Sequence, residues 1–174
     1  MKTTWILLAG LPATGKSTVA RALAARLDRS AILDKDQVRA ALFPGPMTDY
    51  TTAQNDLCMR VIYTTAAYLT RNQLADHVFI DGRTFSSASQ FTEALNEAEK
   101  AGASWRILHL YCSDDAAAAR LRSVDPDHPA KDRSLDLYRQ IKAKFEPIRQ
   151  PKLDLDTSGS VDTLIEQALA YLRP

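Results

Sequence analysis

Cysteine is scarce in this sequence. Its two residues, Cys58 and Cys112, lie far apart, so there is no disulfide framework, and both read as buried free thiols in a reducing compartment. The three histidines, His77, His109 and His128, show no metal-ligand spacing. His77 and His109 belong to strand patterns and read as structural. An excess of one charge is also missing: the formal net charge is +1. That gives no general attraction to nucleic acid or to an anionic membrane, and leaves room only for a local basic patch. No apolar run is long enough to span a bilayer, and the run at the N-terminus is too short for a secretory leader. Internal repeats and low-complexity blocks are absent as well. These absences predict a cytoplasmic protein with no membrane or nucleic-acid partner. The 174 residues suit one domain, 1–174, around one well-buried core.

What is present is concentrated near the N-terminus. Gly10-Leu11-Pro12-Ala13-Thr14-Gly15-Lys16-Ser17 is a complete G-x-x-x-x-G-K-[ST] phosphate-binding loop. Trp5 to Ala9 before it reads as a buried strand. After it, Val19, Ala20, Leu23, Ala24 and Leu27 form an apolar stripe at helical spacing. Gly10 and Gly15 allow the backbone to bend until its N–H groups point inward around a phosphate. The helix beginning near Lys16 adds its positive dipole end at the same place. Residues Gly10 to Ser17, with Thr18, are therefore the expected nucleotide-phosphate site. Lys16 is placed to reach the β- and γ-phosphates, and Ser17 is a candidate Mg²⁺ ligand.

The rest of the chain alternates strand and helix. Strands are expected at 31–34, 77–81, 105–111 and 153–156. Helices are expected at about 36–42, from Thr51 or Thr52 to about Gln73, from Ser86 or Ser87 to Ala101, from Asp114 to Arg122, from Leu135 to Phe145 and from Val161 to Leu172. Two prolines and a glycine break the chain at 43–46. Alternation of this kind implies a parallel sheet with helices on both faces. Ligands bind such sheets at the carboxyl ends of the strands, and Asp34, Asp36, Asp81 and Arg83 fall there.

Asp36 and Arg39 stand three apart at a helix start and share a face. A carboxylate there could accept a hydroxyl proton or hold Mg²⁺ through water, and Arg39 could clamp a polar or anionic substrate. The same two residues would also serve as an N-terminal carboxylate and its surface ion pair. Val78-Phe79-Ile80-Asp81 ends an apolar strand in the acidic position that binds Mg²⁺ in phosphate-loop proteins; a turn-forming Asp before Gly82 is the plainer alternative. Arg83 follows at the same mouth. Arg120 and Arg122 precede, and Lys131 and Arg133 close, a polar segment at about 122–134 that reads as a short lid. Of these cations Arg120 is the first choice to face the transferred phosphate. Met47 to Asn55, with Tyr50 and Gln54, and the segment 83–90 read as a pocket for a polar, uncharged or mildly anionic small molecule. Tyr63 and Tyr68 read as packing residues.

Together, Gly10 to Ser17, Leu33-Asp34-Lys35-Asp36-Gln37-Val38-Arg39, Phe79-Ile80-Asp81 and Arg120-Leu121-Arg122 make the chain resemble, over nearly its whole length, a small P-loop kinase. The group includes adenylylsulfate kinase, chloramphenicol phosphotransferase and polynucleotide kinase, and is also described as an AAA-type ATP-binding or zeta-toxin-like domain. Lys35 replaces the glycine of the adenylylsulfate kinase pattern Leu-Asp-Gly-Asp-x-x-Arg, and Pro12-Ala13-Thr14 replaces its Ser-Gly-Ala. The resemblance implies an α/β/α sandwich whose five parallel strands run in the order 2-3-1-4-5. It also implies ATP with Mg²⁺ as cofactors and transfer of the γ-phosphate to a hydroxyl of a small metabolite or antibiotic. Lys16, Asp36 and Arg120 take catalytic roles by this resemblance, with Asp36 as the base. Asp36, Arg39, Tyr50, Gln54, Arg83 and Arg133 contact substrate, and Ser17 and Asp81 hold the metal. A polynucleotide 5′-hydroxyl kinase and a nucleotide-dependent regulatory ATPase are the alternatives. The absent basic excess speaks against the first; the acidic residue after strand two and the basic lid favour transfer over switching.

Overall fold

The computed structural model describes residues 2–123 and 134–173. Most of the expected lid, with His128, Lys131 and Arg133, lies outside the described residues. Five parallel strands, β1 (Thr4–Ala9), β2 (Ser30–Asp34), β3 (His77–Asp81), β4 (Ser104–Tyr111) and β5 (Leu153–Asp156), form one sheet in the order β2-β3-β1-β4-β5. Seven helices accompany it among the described residues: α1 (Lys16–Ala24), α2 (Lys35–Leu42), α3 (Thr52–Arg71), α4 (Ala88–Ala101), α5 (Asp114–Arg122), α6 (Leu135–Ala143) and α7 (Val161–Leu172). This is the α/β/α phosphate-loop architecture, with the strand order expected.

β1 is central, and Trp5 to Ala9 are fully buried. A parallel strand covered on both faces has no solvated side, which is why it reads as a continuous apolar run. Its alternate residues serve two cores. Trp5 and Leu7, with Val78, Ile80 and Ile107, meet Met59, Ile62 and Tyr63 of α3 and Phe91, Ala94 and Ala98 of α4. Ile6 and Leu8, with Phe79, Leu108 and Leu110, meet Val19, Ala20 and Leu23 of α1 and Leu164, Ile165 and Ala168 of α7. Each fully buried large apolar side chain contributes about 1.5–3 kcal/mol by leaving water. One polar bond is built into the first core: Trp5 Nε1 donates to Thr70 Oγ1 at 2.9 Å.

The helix ends differ in detail from the sequence expectations. Asp34 both ends β2 and caps α2, its Oδ1 accepting from Asp36 N at 2.8 Å. Thr51, one of the two expected caps, does cap α3, whereas Ser113, ahead of the two aspartates, caps α5. Ser87 occupies the capping position of α4 without a side-chain cap bond; instead Glu146 Oε2 accepts from Ala88 N at 2.7 Å. α1 ends at Ala24, and Leu27 packs against the core from the turn that follows. Tyr63 is buried and stacks on Trp5, ring centroids 6.2 Å apart, whereas Tyr68 is exposed. Cys58 is buried, but Cys112 is only partly so. Among the described residues no helix is long and apolar enough to cross a membrane.

Candidate active site

The phosphate loop joins β1 to α1 at the carboxyl end of the sheet. Gly10 has φ 142°, and a Cβ there would lie 2.2 Å from the Leu110 carbonyl oxygen, so only glycine fits. Gly15 caps α1 in the left-handed region at φ 84°. Thr14, buried, donates from Oγ1 to Leu11 O at 2.8 Å and fixes the loop from within. Gly10 N donates to Thr84 O at 3.0 Å, tying the loop to the segment after β3. Lys16 folds back over the loop, Nζ donating to Gly10 O at 2.9 Å and to Leu11 O at 2.7 Å. Its ammonium is thus held at the loop, where a bound phosphate would meet it.

A cleft of about 700 Å³ opens over this loop. Pro12, Ala13, Gly15, Lys16, Ser17 and Thr18 form one wall; Gly10, Leu11 and Thr14 build the loop behind it without lining the cleft. Asp34, Asp36, Arg39, Tyr50, Asp81, Arg83 and Arg120 line the rest. Elements distant in sequence therefore bring most of the expected site residues to one cavity.

On α2, Arg39 Nη1 donates to Asp36 Oδ1 at 2.7 Å, and both side chains are nearly buried. Nη2 of Arg39 donates to Asn55 Oδ1, the guanidinium carbon stands 5.0 Å from the Tyr50 ring centroid, and Asn55 Nδ2 donates to Tyr50 O at 3.2 Å. Asn55 thereby joins α2, α3 and the loop before α3. Arg83 bridges Asp56 Oδ1 at 3.3 Å and Glu93 Oε2 at 3.2 Å. Burial pushes the Tyr63 phenol well above its ordinary range, against the pull of nearby Arg83.

Asp34 and Asp81 end adjacent strands in register. Asp81 is 1% exposed and accepts from Gly82 N at 2.7 Å. Burial, and after it the charge of Asp81, raises the Asp34 carboxyl above the ordinary carboxylate range. Gly82, at φ 84°, makes this closeness possible: a Cβ there would stand 2.9 Å from Lys35 N and 3.0 Å from Asp34 Oδ1. Asp34, Asp81 and Ser17 line the same cleft, and their hard oxygen atoms are of the kind that could hold Mg²⁺, which binds through few protein ligands plus substrate phosphates. Like charges held this close are relieved by a cation.

One expected residue stands elsewhere. Gln54 does not line the cleft: its Nε2 donates to Met47 O at 2.6 Å and its Oε1 accepts from Asp49 N at 3.1 Å, so its amide holds the loop before α3. Arg133 lies outside the described residues. Conversely, the loop after β5 was not singled out from the sequence. Arg120 Nη1 donates to Ala13 O at 3.2 Å and to Thr157 Oγ1 at 3.0 Å, and Nη2 to Thr157 O at 2.7 Å. A second, smaller recess of about 210 Å³ lies there, walled by Val19, Val161, Leu164, Thr157 and Arg120 beside Gly15. The rule that ligands gather at strand carboxyl ends, applied to β5, would have pointed to Thr157.

A family model described as an AAA domain (AAA_33) matches residues 6–148. No curated protein matches the chain. Among solved structures, the chain is similar to a proposed kinase from Chloroflexus aurantiacus, 20% identical with a TM-score of 0.76 over 99% of this chain and 100% of that one. It is also similar to the APS kinase of Mycobacterium tuberculosis in complex with AMPPNP and APS, 18% identical, TM-score 0.72, covering 98% of each chain. Kti12 of Chaetomium thermophilum in complex with ADP-AlF3 is 15% identical, with a TM-score of 0.70 over 98% of this chain and 100% of that one. At these identities the likeness is one of fold.

Proposed function

This chain belongs to the AAA domain family, and from that premise we propose that it is an ATP-dependent kinase acting on a hydroxyl of a small molecule. One observation carries the reading: the phosphate loop and the buried Asp36–Arg39 pair face the same cleft. A nucleotide switch needs the loop alone; transfer to an acceptor needs a placed base beside it.

The geometry supports the following roles. The loop amides and Lys16 bind the β- and γ-phosphates. Ser17, Asp81 and Asp34 would hold Mg²⁺, which supplies charge neutralisation on the phosphates when bound. The apolar recess between Val19 and Val161 suits a nucleobase, with Arg120 at its rim. Arg39 holds Asp36 Oδ1 and so fixes the carboxylate. The acceptor oxygen bonds to the γ-phosphorus as the bond from that phosphorus to the β–γ bridging oxygen breaks. The hydroxyl proton passes to Asp36, and ADP leaves. That a relative was solved with AMPPNP and APS together supports two ligands in one such fold.

Lys16→Ala tests the reading. Its ammonium contacts loop carbonyls and no apolar core. The variant should keep its melting temperature while acceptor-dependent ADP release falls by about 10³-fold. Near-normal turnover would remove the phosphate loop from the reaction.

A further inference from the structure

The cations that α2 and the β3–α4 loop send into the cleft are already matched within the fold. Arg39 is paired with Asp36 and packed on Tyr50. Lys35 Nζ donates to Asn55 Oδ1 at 3.1 Å and lies 3.9 Å from Asp36 Oδ1. Arg83 sits between Asp56 and Glu93, one positive charge against two negative ones. Its side chain is 13% exposed, and its two partners are about 40% exposed.

On the α2 and β3–α4 walls, beside Asp36, a phosphate, sulfate or carboxylate on the acceptor would draw on one of these groups; Lys16 and Arg21 of α1 and Arg120 of α5 line other parts of the cleft. Taking Arg39 would leave Asp36 buried without its partner, the costly way to break an ion pair. Approaching Arg83 would bring a third anion to a cluster that is already net negative, an arrangement that rejects like charge. Thr52, Thr84 and Gln37 add neutral hydroxyl and amide groups to the same walls.

Resting on the kinase reading above, we infer that the acceptor is a hydroxyl-rich molecule with no anionic group of its own, neutral or amine-bearing. Arg83 is the specificity-determining cation, and Asp56 and Glu93 hold it out of use. Of the polar, uncharged or mildly anionic ligands that the sequence allows, the uncharged ones fit these walls.

The test uses the full chain with ATP and Mg²⁺, and ADP release as readout. Acceptors are offered as matched pairs: ribose and ribose 5-phosphate, glycerol and glycerol 3-phosphate, glucitol and gluconate, and an amino sugar beside its N-sulfated form. ATP binding is followed separately by calorimetry. The wild type should turn over the non-anionic member of a productive pair at least about tenfold faster in kcat/KM. The double variant Asp56→Asn, Glu93→Gln should move that ratio toward the anionic member by about tenfold or more, because Arg83 is then available. Calorimetric ATP binding by the double variant confirms that it is folded, and the wild-type ratio stands as a test by itself. Preference of the wild type for an anionic member overturns the inference while the kinase reading stands, as does a ratio that the folded double variant leaves unmoved. ATP binding with no acceptor-dependent ADP release from any pair overturns the kinase reading, and the inference falls with it.

Discussion

Asp34 faces Asp81 across the ends of β2 and β3, and the two carboxylates are in register on neighbouring parallel strands. Burial and then Asp81 hold Asp34 above its ordinary value of 3.8. An acid raised on folding is protonated in both states at low pH and costs nothing there. As pH rises through the window from 3.8 to the raised value, the unfolded chain ionises first and the folded state loses relative stability. The deficit persists at neutral pH until a cation relieves it. Asp34→Asn should therefore raise the melting temperature of the nucleotide-free protein at pH 7, since Asn caps a helix as well as Asp. The gain should shrink as pH falls toward 4, and the variant should need roughly tenfold more Mg²⁺ for half-maximal turnover. Thermal melts at both pH values and a Mg²⁺ titration check this. A lower melting temperature at pH 7 would refute it.

Arg120 joins two loops at the proposed nucleotide site: Ala13 of the phosphate loop and Thr157 after β5. The sequence pattern pointed to a role on the transferred phosphate; these contacts add one in shaping the recess. Arg120→Ala should weaken ATP binding by about tenfold and lower kcat as well. Calorimetry with ATP, set beside steady-state kinetics, separates the two effects. Unchanged ATP affinity would leave only the transferred-charge role.

Thr70 gives Trp5 Nε1 its hydrogen bond inside the core between the sheet and α3. Thr70→Val keeps the shape and leaves that N–H buried without its acceptor, at a cost of about 1–3 kcal/mol. The melting temperature should fall by roughly 2–10 °C with catalysis at permissive temperature unchanged. Trp5→Phe in the Thr70→Val background should cost less than in the wild type, because the orphaned donor leaves with it. Additive effects of the two changes would show that the bond contributes nothing.

The local parts of this architecture are written in adjacent residues. Trp5 to Ala9 and Val78 to Ile80 announce buried parallel strands, and Gly10 to Ser17 encodes its own backbone. Asp36 and Arg39 meet because helical spacing brings them together. What the sequence hides are the pairings across distance. Glu146 caps α4 from 58 residues away. Arg120 finds Thr157 only once β4 and β5 are side by side. Gln54 looks like a pocket residue because a polar side chain in the first turn of a helix gives no sign of whether it faces a ligand or its own preceding loop. The neutralisation of Arg83 is equally hidden, since Asp56 and Glu93 lie on two different helices.

Asp36→Asn discriminates most sharply among the readings of the site. It preserves size and can still accept from Arg39 through its carbonyl oxygen, so Arg39 and Tyr50 should stay in place. It removes the basicity that would take the acceptor proton. Turnover with a productive acceptor should fall by about 10²-fold or more, while ATP affinity, carried by Lys16 and the loop, should change less than about twofold. A nucleotide switch has no acceptor proton to remove, and its slow hydrolysis should tolerate the change. Asp34→Asn is the control, because Asp34 caps α2 and faces Asp81 rather than Arg39. Its loss of rate should be recovered at high Mg²⁺, whereas that of Asp36→Asn should not. If high Mg²⁺ rescues Asp36→Asn and fails to rescue Asp34→Asn, the base is Asp34, and Asp36 serves the metal.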